Sequence, residues 1–133
     1  MSLRAIIPVE LELSPNVWFP VRRAVVDTGS SLCVFSAVWA RTNGFALPPV
    51  ASALPTTTAA GPLAARVYDV DLNARFLRVP EYAFSLAVVF SEAHPPNVLP
   101  LLGLHNLLNY WRYTFDGSPE PAASMGHMRF ETL

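Results

Sequence analysis

The chain has 133 residues, long enough for one domain with a real core and too short for two lobes that each carry a catalytic loop. With 52% hydrophobic residues, 14% charged residues and 13 prolines, it is neither disordered nor suited to long helices, so a compact β-rich domain is expected. A formal net charge of −1, with the arginines scattered, leaves no electrostatic footprint for nucleic acid.

In chain order, runs of β-formers predict strands over Ala5–Leu13 and Val21–Val26. The second runs into Ala24-Val25-Val26-Asp27-Thr28-Gly29-Ser30-Ser31, where Gly29 permits a sharp turn, and Leu32-Cys33-Val34-Phe35 reads as a buried strand leaving it. Cys33 has no partner cysteine in the chain, and its apolar neighbours predict a buried, unreactive thiol. Ser36 is placed to cap a short helical turn through Ala37–Arg41, and Gly44 to end it.

Thr56-Thr57-Thr58 favours extended backbone, Gly61-Pro62 marks a turn, and Arg66–Leu72 alternates Tyr68, Val70 and Leu72 against Val67, Asp69 and Asp71, which predicts a hairpin. Further strands are expected over Phe76–Val79, Ala83–Phe90, Val98–Leu102, Arg112–Phe115 and His127–Thr132, with a second short helix over Asn106–Tyr110. No basic region followed by an apolar stretch and a cleavage site opens the sequence. The uncharged stretch from Thr42 to Ala65 is broken by Pro48, Pro49, Pro55 and Pro62. The expectation is therefore neither signal peptide nor membrane segment, with the cytoplasm favoured.

Asp27 carries the chemistry. A carboxylate between two core strands, beside Thr28, Ser30 and backbone amides, meets the conditions for a tuned acid or base. Hydrolysing a peptide with carboxylates alone needs two of them sharing a proton, one to activate water and one to protonate the carbonyl oxygen. Asp69 and Asp71 lack the preceding apolar run and the glycine-serine turn, and Asp116-Gly117 reads as an ordinary hairpin signal, so if the motif is catalytic the second Asp27 has to come from a second copy of the chain across a two-fold axis. The bland alternative is an aspartate that bonds only its own turn.

Val25-Val26-Asp27-Thr28-Gly29-Ser30-Ser31, followed by Leu99-Pro100-Leu101-Leu102-Gly103 and Leu104-His105-Asn106-Leu107-Leu108-Asn109, resembles the retropepsin type of aspartic protease. The resemblance spans most of the chain, but only these two motifs are specific. It implies an all-β acid protease barrel with one or two short helices, one lobe per chain, residues 1–133 forming a single domain. The implied activity is that of a homodimeric aspartic endopeptidase, in which two Asp27 carboxylates, one ionised and one protonated, activate a water. By the same resemblance Thr28 bonds across the dimer, Gly29 allows close approach, and the Ser30 hydroxyl donates to a carboxylate oxygen. Leu101, Leu102 and Gly103 form the second loop behind the site.

The resemblance also implies that the hairpin is a flap with Thr58, Ala59, Ala60 and Gly61 at its tip, closing over a peptide or protein substrate in extended conformation, against the alternative of an ordinary surface hairpin. Val34, Leu63 and Leu101 are read either as lining the substrate pockets or as plain core. No metal, organic cofactor, nucleic acid or membrane is required. Leu104 stands where many retropepsins carry an arginine that braces the dimer, so apolar packing or pairing of the strand-like segment 126–133 has to compensate. The runner-up is a non-catalytic module of this fold that binds extended peptides or mediates dimerisation, and a third reading is a small barrel carrying an apolar ligand. His94, His105 and His127 share no ligand spacing for zinc, and Ser30 and Ser31 lack the Gly-x-Ser-x-Gly elbow of a serine nucleophile.

Overall fold

Strands whose apolar residues alternate bury one face and leave the other to water, and here they curl one sheet into a barrel around the buried face. The computed structural model describes residues 4–27, 30, 32–49, 52–58, 61–116 and 127–132. In chain order the elements are β1 (Arg4–Ser14), β2 (Val17–Asp27), β3 (Cys33–Ser36), α1 (Ala37–Thr42), β4 (Ser52–Thr58), β5 (Gly61–Phe76), β6 (Phe84–Ser91), β7 (Leu101–Gly103), α2 (Leu104–Leu107), β8 (Trp111–Asp116) and β9 (His127–Thr132). The main sheet runs β1-β2-β7-β3-β6-β5-β4, and a β1–β5 pairing closes its first six strands into a barrel, with β4 outside the closure. β8 and β9 form a separate antiparallel pair.

The closing seam is short, and its chemistry alternates. Val9, Glu10 and Leu11 face Phe76, Arg75 and Ala74. Val9, Leu11 and Ala74 are fully buried, while Glu10 and Arg75 form an ion pair of 2.9 Å on the outer side. Arg75 also lies over the Trp18 ring at 4.1 Å, so one guanidinium ties β5 to both strands of the β1–β2 hairpin. Inside, Phe35, Leu86, Val88, Phe90, Leu102 and Leu107 are buried, each contributing about 1.5–3 kcal/mol through removal from water.

α1 begins and ends where the sequence places its signals. The Ser36 hydroxyl accepts the Trp39 amide at 3.1 Å. Gly44 adopts φ +86, its amide donates to Arg41 O at 3.3 Å and that of Phe45 to Ala40 O at 2.9 Å, the paired bonds of a Schellman ending. Phe45 then stacks on Trp39 at 5.2 Å and closes an aromatic cluster with Phe19, Phe35 and Phe90.

Several boundaries differ from the sequence expectation. The separate strand expected over Phe76–Val79 does not form: Phe76 is the last residue of β5 (Gly61–Phe76), and turns follow, with Val79 N donating to Phe76 O at 3.0 Å. β7 starts at Leu101 rather than Val98, because Pro95, Pro96 and Pro100 supply no ladder donors and Val98 N turns back to Pro95 O at 3.1 Å. α2 covers Leu104–Leu107 and only turns continue to Tyr110. Val67 leaves the polar face expected for it and is buried against Val89, Leu32 and Ala93. No helix among the described residues is long and apolar enough to cross a membrane.

Candidate active site

Asp27 is the last residue of β2 and is half-buried. Val25 and Val26 build the strand that delivers it. β1 flanks that strand on one side, with Arg4 opposite Asp27, and β7 flanks it on the other, with Val25, Val26 and Asp27 opposite Leu101, Leu102 and Gly103 in parallel register. The Val25 amide donates to Pro100 O at 2.9 Å, which starts the parallel ladder one residue ahead of β7. The two sequence motifs, more than 70 residues apart, are thus adjacent strands whose ends bring Asp27 and Gly103 side by side.

Beyond Asp27 the chain reverses. Ser30 N donates to Asp27 O at 3.2 Å. The Ser30 hydroxyl accepts the Leu32 amide at 3.2 Å and donates to Leu32 O at 2.9 Å. A hydroxyl has one proton to give, so in this chain it braces Leu32 where a bond to the Asp27 carboxylate was expected. Thr28 and Gly29 lie outside the described residues.

Gly103 has the contact that requires glycine. A β-carbon built on it would stand 2.7 Å from Leu32 O and 2.8 Å from Leu32 N, closer than such atoms approach in proteins. The neighbouring Cys33 is fully buried, and burial pushes its thiol from the usual 9.0 up to about 11, with an opposing contribution from a hydrogen bond to the Gly103 backbone. Ser30, Leu32, Cys33 and Gly103 therefore form one packed unit under the Asp27 turn. The carbonyl of Leu32 and the thiol of Cys33 were not legible as site components, because both act through a glycine distant in sequence.

Val34 and Leu101 are cross-strand partners, and both are half-buried rather than part of the core. They offer a partly open apolar surface on the strands beside Asp27. Leu102 is fully buried and anchors β7 in the core. Leu104 is 4% exposed and packs into the core of its own chain. Asn106, which the sequence offers only as a motif and helix residue, reaches from α2 to β6, accepting the Ala87 amide at 2.8 Å and donating to Ser85 O at 3.3 Å. It thereby fixes the segment that follows Gly103.

The β4–β5 hairpin is present, with Thr58 opposite Gly61 as its last pair and Thr56 opposite Leu63. Ala59 and Ala60, the rest of the expected flap tip, lie outside the described residues. His94 is structural in its contact, with Nε2 3.1 Å from Leu99 O. Among the described residues no three His, Cys, Asp or Glu side chains gather as a metal site. Asp69 and Asp71 are exposed on β5, which meets β1 only at Ala74–Phe76, away from Asp27.

Compared with known proteins, the chain is similar in structure to a retropepsin-like aspartic protease from Rickettsia conorii, with a TM-score of 0.57 and 20% sequence identity over 85% of this chain and 84% of that one. No protein-family model and no curated sequence matches it. The likeness is one of fold: an all-β, single-lobe barrel of the retropepsin-like kind.

Proposed function

We propose that the chain is one half of an aspartic endopeptidase, and that two copies bring their Asp27 carboxylates together to activate a water against a peptide bond. The observation that carries this reading is the juxtaposition of the strand ending in Asp27 with the strand ending in Gly103, braced from below by Leu32, on a fold shared with a retropepsin-like protease. In the pair, the ionised Asp27 takes a proton from water as it attacks the carbonyl carbon. The protonated Asp27 donates to the carbonyl oxygen, and return of a proton to the leaving nitrogen completes hydrolysis. Thr28 and Gly29 are assigned the cross-dimer lock and the close approach, and the β4–β5 hairpin the flap that adds a strand to an extended substrate.

The test is digestion of a reduced, carboxymethylated protein from acid to neutral pH, with the wild type beside Asp27→Asn. The nearly isosteric amide preserves the fold and removes the acid-base group, so cleavage is lost with the melting curve unchanged. Equal cleavage by Asp27→Asn overturns the assignment. A folded, dimeric wild type inert across that range favours a non-catalytic peptide-binding or dimerisation module.

A further inference from the structure

A cleft lies beside β2, and Asp27 is not among the residues that line it. β7 is only three residues long and pairs with β3 at Leu101 alone, and the loop from Pro96 to Pro100 that leads into it borders the cleft together with residues of β2 and β3. The cleft has a volume of about 250 Å³. Phe35, Trp39, Val98 and Pro100 are among the residues that line it, and Val98 is 48% exposed.

A bulge supplies the charge. Ile7 pairs with Ala24 and Val9 with Val21, so Pro8 alone faces both Arg22 and Arg23. Proline brings no amide to the ladder, and the extra residue on β2 breaks the alternation that would otherwise turn one of the two side chains inward. Val21 and Ala24 are buried on either side, yet Arg22 and Arg23 are both exposed, and both border the cleft. Among the described residues no acidic side chain lines it and neither arginine is in an ion pair, the arginine ion pairs there joining Arg41 to Glu92 and Arg75 to Glu10.

We propose that this cleft docks an acidic stretch of polypeptide that carries an apolar or aromatic side chain. An apolar floor with two unneutralised guanidinium groups at its rim complements a side chain seated between Trp39 and Val98 and carboxylates held by Arg22 and Arg23. A cleft this small, in a chain of net charge −1, suits a peptide better than a nucleic acid or membrane surface. On the proteolytic reading the occupant is a part of the protein substrate outside the scissile segment. Pro100, which lines the cleft, accepts the Val25 amide two residues before Asp27, so docking also bears on the strand that positions the carboxylate.

The test is a titration of the full chain carrying Asp27→Asn, so that nothing is cleaved, with acetyl-Glu-Leu-Glu-Phe-amide and its Gln-for-Glu counterpart, followed by NMR. The expected result is chemical-shift change at the Trp39 indole and at residues 96–100, binding about three- to tenfold weaker for the neutral peptide, and the same loss in Arg22→Gln/Arg23→Gln. Val98→Glu, on the exposed rim, gives an independent loss without touching β2. Equal binding of both peptides, shifts centred elsewhere, or preference for an oligonucleotide or anionic vesicles overturns the proposal. Binding in this pattern alongside a wild type that cleaves nothing upholds the cleft and removes the proteolytic reading, so the two fail separately.

Discussion

Gly103 rests on the backbone of Leu32, with the carbonyl oxygen and amide nitrogen of that residue where a β-carbon on Gly103 would have to fit. This contact lets the strand carrying Gly103 and the turn following Asp27 lie one on the other, and it explains why the second motif needs a glycine at its end. The clash is with backbone, which has no rotamer by which to yield.

Gly103→Ala is therefore expected to destabilise the fold by about 2–3 kcal/mol, the upper part of the overpacking range. Urea denaturation checks this: the midpoint falls while the slope is retained. On the proposed proteolytic reading, activity is lost as well, because the displaced Leu32 peptide carries the Ser30 brace of the Asp27 turn.

The buried thiol beside that contact gives a prediction in alkali. Cys33 is neutral in the folded chain up to about 11 and in the unfolded chain only up to its ordinary value of 9.0. Above the ordinary value the unfolded state has lost a proton that the folded state keeps, so stability is full below it and falls as pH rises through the folded value. The loss is on the order of 3 kcal/mol between the two values and is absent in Cys33→Ala, as seen in melting temperatures across that range.

Asn106 substitutes for a strand at β6, and its removal tests that role. Asn106→Ala frees the Ala87 amide and the Ser85 carbonyl, at a cost of about 1–2 kcal/mol for two part-exposed bonds. Hydrogen exchange at the Ala87 amide accelerates selectively, whereas general destabilisation would speed exchange throughout the core.

The parts of this fold legible in sequence are those set by neighbours in the chain. Val25-Val26 and Cys33-Val34-Phe35 announce strands because β-formers are contiguous, and Ser36 and Gly44 bound α1 through bonds within a few residues. Elements set by distant partners stayed hidden. Leu32 shows its purpose only against Gly103, and Asn106 only against β6. Arg22 and Arg23 read as ordinary scattered charge until Pro8 is placed opposite them and the bulge turns both outward. A hydroxyl at a turn has several acceptors within reach, and only the backbone path shows that of Ser30 bonded to Leu32 O.

Activity should follow a bell in pH on the acid side of neutrality. Catalysis by a carboxylate pair needs one proton held between the two, so a second proton on the acid limb and loss of the shared proton on the other each stop it. Initial rates on a denatured protein, measured where circular dichroism shows the fold unchanged, separate this from unfolding. A rate that rises steadily into alkali contradicts the shared-proton mechanism.

The proposed mechanism requires two chains, and stoichiometry tests it more directly than structure. Leu104 is spent on its own core, so no ionic brace follows Gly103, and the association is expected to weaken on dilution. Specific activity then falls with concentration in step with the dimer fraction seen by sedimentation. Mixing adds a sharper criterion. If each active unit needs an intact Asp27 from both chains, wild type exchanged with an equal amount of Asp27→Asn at fixed total concentration retains about one quarter of its activity, since active pairs scale as the square of the wild-type fraction. A retained half means that single chains act alone, and with it a fully active sedimentation-proven monomer would refute the two-carboxylate assignment.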